Sequence, residues 1–171
     1  MKIVLVGYMG SGKSTIGRLL ANELNYDFID LDDFIESNEQ MKIPMIFESK
    51  GEIYFRKKEF EYLKQILANK DNFILATGGG TPCYGENMSA MLEATSNVFY
   101  LKVSISRLID RLVLEKEHRP LITNIPDEEL PEFIGKHLFE RSYFYSKANN
   151  SIFCDEKKAD EIRSEIEGLL V

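Results

Sequence analysis

The stretch GYMGSGKS, residues 7–14, constrains this chain more than any other, because the apolar run IVLV precedes it and a helical periodicity follows. It matches G-x-x-x-x-G-K-[S/T], a strand-to-helix turn whose glycines let backbone N–H groups converge on phosphate oxygens with no Cβ in the way. The helix N-terminus adds its partial positive charge. Lys13 is then placed to reach the terminal phosphates of a nucleotide as a flexible point charge, and the Ser14 hydroxyl to ligate Mg²⁺. A chain that opens on such a strand, loop and helix is committed to a parallel α/β architecture.

The remaining pattern agrees. Short apolar runs at 2–7, 27–31, 72–76, 97–101 and 151–154 alternate with helical periodicities at 13–24, 52–68, 86–94, 105–114 and 156–170, and a further helix is predicted over 131–147. Ser104 and Asp155 stand where N-caps belong. Five strands alternating with helices give a parallel sheet covered on both faces and joined by right-handed crossovers. The 171 residues fit one domain over 1–171. Residues 115–130, EKEHRPLITNIPDEEL, carry two prolines, many charges and little periodicity, as a mobile lid over about 112–126 would.

A net charge of −7 argues against a broad nucleic-acid-binding surface, although 21 Lys and Arg residues allow a local basic pocket. The opening MKIVLVGYMG is too short for a signal peptide or membrane span. Cys83 and Cys154 lie far apart without a metal-binding pattern, as reduced thiols do. These features predict a cytoplasmic protein with no membrane or nucleic-acid partner. The lack of an extended apolar surface stripe predicts a monomer.

A phosphate loop leaves two classes open: transfer of a phosphoryl group to a second substrate, or hydrolysis by a switch or motor. A guanine-nucleotide switch needs Asn-Lys-x-Asp, but in NKDN at 69–72 the Asp falls one position early, and Asn69 to Asp71 read as a helix-ending turn. A hydrolysing ATPase ends its third strand in an acid for Mg²⁺. Here that run ends in Thr77 and then GGG. Carboxylates must come from elsewhere, and Asp30 and Asp32, two apart at the end of the second strand, would point together into the ligand crevice. Asp33 points away and would cap or start the next helix. Gly78, Gly79 and Gly80 open onto the same crevice and expose main-chain N–H groups. Arg56, with Glu59 three residues on to orient it, Arg141, and Arg119 in the lid segment suggest a small anionic acceptor bearing hydroxyls, since guanidinium forks grip carboxylates and Asp accepts from hydroxyls.

Taken in order and spacing, GYMGSGKST, the Asp30-Leu-Asp32 triplet, GEIYFR, GGG, RPL and ERSYFY resemble the shikimate kinases, P-loop kinases of the nucleoside-monophosphate-kinase type in aromatic amino-acid biosynthesis. The resemblance spans nearly the whole chain. It implies a three-layer P-loop kinase fold with a five-stranded parallel sheet of order 2-3-1-4-5 and an acceptor-binding helical region over about 32–61. It implies ATP-dependent phosphorylation of shikimate on its 3-hydroxyl. Asp32, Arg56, Gly78, Gly79, Gly80 and Arg141 would bind shikimate. Gly10, Ser11, Gly12, Lys13, Ser14, Thr15, Arg111 and Arg119 would bind ATP, Ser14 and Asp30 the Mg²⁺ ion, and Lys13, Asp32 and Arg119 would be catalytic. Kinases for gluconate or a nucleoside monophosphate, and a nucleotide-binding regulator without an acceptor, are the rival readings.

Overall fold

In the computed structural model, which describes residues 1–69 and 71–171, the apolar run before the phosphate loop becomes β1 (Lys2–Val6), the middle strand of a five-stranded sheet. Its neighbours are β3 (Phe73–Ala76) and β4 (Val98–Lys102), with β2 (Asp27–Asp30) and β5 (Asn150–Phe153) at the edges, all parallel in the order β2-β3-β1-β4-β5. Ile3, Val4, Leu5 and Val6 are fully buried. Continuous rather than alternating burial is the mark of a strand covered on both faces.

The helices are α1 (Lys13–Leu24), α2 (Leu31–Glu39), α3 (Ile43–Lys50), α4 (Glu52–Ala68), α5 (Asn87–Ala94), α6 (Ile105–Glu115), α7 (Leu130–Tyr145) and α8 (Ala159–Gly168). Helix α1 packs on α8, α6 on α7, and α4 on α2, α3 and α5. The glycine at 17 lets α1 lie close to the sheet edge, since a Cβ there would meet the Phe28 ring at 2.4 Å. Among the described residues no helix is long and apolar enough to cross a membrane.

Several boundaries depart from the sequence expectations. Strand β2 stops at Asp30, which caps α2 by accepting from the backbone N–H groups of Asp32 and Asp33. Asp32 therefore lies in the first turn of a helix and not on the strand, and exposed Asp33 starts that helix without capping it. Ser104 caps α6 as expected, accepting from Arg107 N. Asp155 caps nothing: α8 begins four residues later, and the Asp155 carboxylate accepts from Ser104 N at 2.8 Å, tying the chain after β5 to the chain after β4. The aperiodic segment opens with a 3-10 turn (Lys116–His118), and the fully buried Leu112 is still part of α6, so the expected lid range overlaps that helix. Helix α4 closes through Asn69 N–H on Ile66 O; the expected turn over 69–71 includes Lys70, which lies outside the described residues.

Candidate active site

The phosphate loop leaves the C-terminal end of β1 and enters α1 through Gly10 (φ 79°) and Gly12 (φ 95°), backbone conformations that a side chain would strain. Lys13 is buried and folds its ammonium back onto the loop, donating to Gly7 O at 2.7 Å and Tyr8 O at 3.0 Å. Burial pushes its pKa down to about 8; Asp32 and Asp30 oppose this, while the Arg119 and Arg141 guanidiniums reinforce it. The buried Ser11 hydroxyl has no hydrogen-bond partner, which suits a loop whose polar atoms await an anion. Thr15 follows Ser14 in the first turn of α1 and is exposed.

Across the loop, Ser14 Oγ donates to Asp30 Oδ2 at 2.8 Å, while Asp30 Oδ1 holds the first turn of α2. Asp32 is thereby aimed at the same place. Burial, and then the neighbouring Asp30 and Glu59 carboxylates, raise its pKa to about 6, with Lys13 pulling the other way. Among the described residues no group of three or more His, Cys, Asp or Glu side chains is arranged to hold a metal ion by itself. A hydroxyl beside a carboxylate is a hard-oxygen pair, so these residues fit a small divalent ion that takes its other ligands from phosphate and water rather than from an all-protein cage.

The three glycines after β3 bring the rest together. A Cβ on Gly78 would lie 2.8 Å from Asp32 Oδ1; one on Gly79 would lie 3.3 Å from Arg141 Nη1. One on Gly80 would touch both guanidiniums, Arg56 Nη2 at 3.0 Å and Arg141 Nη2 at 3.3 Å. Asp32, Arg56 and Arg141 thus converge on one glycine turn beside the phosphate loop. Arg56 is held by Glu59 as the i,i+3 spacing suggested, with Nη1 to Oε1 at 2.8 Å.

Several supporting residues were missed from sequence. The second Glu59 oxygen accepts from Thr81 Oγ1 at 2.8 Å, and Thr81 O accepts from Asn87 Nδ2 at 2.8 Å. Tyr84 stacks on Arg56 with the guanidinium carbon 3.6 Å from the ring centroid. Tyr145 donates to Gly79 O at 2.6 Å. Only Tyr145 carried a local signal, standing four residues after Arg141 and so on its helical face. Arg111 donates to Gly10 O at 2.9 Å, at the loop. Arg119 is not drawn into the convergence: it pairs with Glu115 at 2.6 and 3.1 Å on the surface.

Comparison with known proteins gives a consistent result. A family model described as shikimate kinase matches residues 9–170. The shikimate kinase of Flavobacterium psychrophilum is 46% identical over 169 residues, covering 99% of this chain and 98% of its own length. The crystal structure of shikimate kinase from Bacteroides thetaiotaomicron superposes with a TM-score of 0.90 at 35% identity, over 99% of this chain and 96% of the other. Shikimate kinase from Acinetobacter baumannii, solved in complex with shikimate, gives a TM-score of 0.88 at 32% identity, over 98% and 91%.

Proposed function

The chain belongs to the shikimate kinase family and transfers the γ-phosphoryl group of ATP to the 3-hydroxyl of shikimate; we propose that it does so with the residues gathered between the phosphate loop and the glycine turn. The observation that carries the residue assignment is the approach of Asp32, Arg56 and Arg141 to Gly78, Gly79 and Gly80.

Arg56 and Arg141 grip the acceptor's carboxylate, their two forks meeting over Gly80, and the glycine main chain lets the ring lie close. Asp32 orients the 3-hydroxyl and accepts its proton as the bond to phosphorus forms. A carboxylate whose pKa stands at about 6 is ionised at neutral pH and more basic than an ordinary Asp. Lys13 turns from the Gly7 and Tyr8 carbonyls to the β- and γ-phosphates, where the backbone N–H groups of Gly10, Ser11, Gly12, Ser14 and Thr15 also converge. Ser14 and Asp30 would hold Mg²⁺, which when bound neutralises phosphate charge. Arg111 sits on the nucleotide side of the loop, and Arg119, carried by the lid segment that follows α6, closes onto the transferring group and keeps water out. The helical region over about 32–61 forms the acceptor side of the cleft. The enzyme works as a cytoplasmic monomer on ATP and shikimate, with no nucleic-acid or membrane partner. The free thiols at Cys83 and Cys154 and the net charge of −7 support that setting.

A coupled ADP-release assay tests the reading. ADP release should depend on shikimate and be absent with gluconate or a nucleoside monophosphate; equal turnover without any acceptor would overturn it.

A further inference from the structure

Tyr8 is the second residue of the phosphate loop, yet its phenol points away from the loop and is 1% exposed. Its oxygen lies 2.8 Å from Nδ1 of His137, a residue 129 positions away on α7, and the two rings meet edge to face at 5.4 Å and 83°. His137, Arg141 and Tyr145 are spaced four apart and share one face of α7. Each level of that face meets the site: His137 meets Tyr8, the Arg141 guanidinium carbon lies 5.9 Å from the Tyr8 ring centroid, and Tyr145 holds Gly79 O. Phe133, one turn before His137, packs on the imidazole at 5.3 Å.

We propose that Tyr8 and His137 are a positioning pair that sets α7, and with it Arg141, against the phosphate loop. Arg141 grips the acceptor and Lys13 the nucleotide, so the distance between their supports decides whether hydroxyl and phosphorus meet in line. The sheet fixes the loop, but Arg141 hangs on a helix that follows the long aperiodic segment. Tyr145 fixes that helix to the glycine turn; the Tyr8–His137 bond fixes it to the loop. Burial keeps the Tyr8 proton on, with the pKa raised to about 12, and burial with the Arg141 charge keeps His137 neutral, with the pKa lowered to about 4. Both groups are therefore neutral, and the bond between the phenol oxygen and Nδ1 carries no net charge. The groups nearest Gly79 and Gly80 include Arg141 and neither of these side chains, so the pair acts through Arg141.

The inference rests on the functional reading above, and the experiment separates the two. Tyr8→Phe removes the hydroxyl and keeps the ring; His137→Leu removes its hydrogen-bonding partner; His137→Gln restores an amide that can accept or donate. One such hydrogen bond corresponds to about a fivefold effect. Tyr8→Phe and His137→Leu should each raise KM for shikimate about fivefold and lower kcat, with KM for ATP within about twofold. His137→Gln should stand near the parent, and the double variant should be no worse than either single one. An unchanged acceptor KM in Tyr8→Phe, additive effects, or an equal shift in KM for ATP would overturn the pair. Loss of shikimate-dependent turnover in the unsubstituted enzyme would sink the functional reading instead. The pair is then decided by ¹⁵N spectra of the imidazole: Tyr8→Phe should shift the His137 tautomer signals, and unchanged signals overturn the pair.

Discussion

Arg56 Nη1 donates to Glu59 Oε1 at 2.8 Å, one turn further along α4, and Glu59 is almost wholly buried. The carboxylate does two jobs at once, because its other oxygen accepts the Thr81 hydroxyl from the residue after the glycine turn. Glu59→Gln keeps the shape and removes the charge. Its amide group can satisfy Arg56 or Thr81 but faces one of those donors with an N–H. A broken buried charge pair costs more than an exposed one, here about 2 kcal/mol. We expect a lower melting temperature and a roughly tenfold rise in KM for shikimate, with KM for ATP unchanged. A variant that melts lower but binds shikimate normally would confine Glu59 to stability.

Gly80 has φ −86° and ψ −17°, a conformation open to any residue, so Gly80→Ala adds a methyl group without backbone strain. That methyl would sit 3.0 Å from Arg56 Nη2 and 3.3 Å from Arg141 Nη2, and flexible guanidinium tips can give way. The fold should survive with its melting temperature little changed while KM for shikimate rises about tenfold. Gly12→Ala is the complementary substitution, since a Cβ there meets nothing but φ is 95°. Its cost is loop strain of about 1 kcal/mol, and it should move KM for ATP instead. Steady-state kinetics of the two variants side by side show whether the clefts are separate.

Asp32→Asn should lower kcat at least about a hundredfold while ATP binding, followed by calorimetry, survives. It should also stabilise the unliganded protein. The folded pKa of about 6 exceeds the ordinary 3.8, so folding favours the protonated acid. The favourable contribution is present below pH 3.8 and lost as pH rises through 6. At pH 7.5 the parent carries the cost of an ionised buried group, on the order of 2 kcal/mol, and Asn does not. Melting temperatures at pH 7.5 and 4.5 check this: the advantage of Asn should shrink at the lower pH.

Arg119 is held by Glu115 at the surface, so its role depends on leaving that partner. An exposed i,i+4 pair is weak, well under about 1 kcal/mol, and a nucleotide's phosphates outcompete it. Arg119→Ala should lower kcat about a hundredfold with little change in KM for shikimate. Normal turnover would place the transition-state charge wholly on Lys13.

What the sequence revealed follows from which constraints are local. The phosphate loop is written in its glycines, and the buried strands in continuous apolar runs, because backbone conformation and two-sided burial act on neighbouring residues. Arg56 and Glu59 were legible as helical neighbours. Asp32 does approach the glycine turn, but by a route other than the one read from the sequence. The two-residue strand period was carried past Asp30, whereas the chain turns helical there, and a helix advances about 100° per residue. Asp155 has the chemistry of a cap but meets Ser104 across the sheet end, a contact 51 residues apart. The spacing of four put His137 on the face of Arg141, but nothing local paired it with Tyr8, since only the finished fold brings those two together.

His137 offers a last check that needs no substrate. Its folded pKa of about 4 lies below the ordinary 6.5, because burial and then the Arg141 charge disfavour the imidazolium; Glu140 opposes them. Tyr8 and Phe133, both uncharged, pack on the imidazole, so Glu140 is the one negative charge set against burial and Arg141 among these groups. A depressed pKa gives a contribution that is whole above pH 6.5 and is lost as pH falls toward 4. The side chain is only partly buried, so the loss is about 1 kcal/mol rather than the full value of the shift. The parent and His137→Gln should therefore differ in the acid dependence of their melting temperatures, the parent falling more steeply between pH 6.5 and 4. Other titrating carboxylates act alike in both proteins and cancel in that difference. Parallel curves would mean that protonated His137 is tolerated beside Arg141, and that α7 is free to swing the imidazole away from Tyr8.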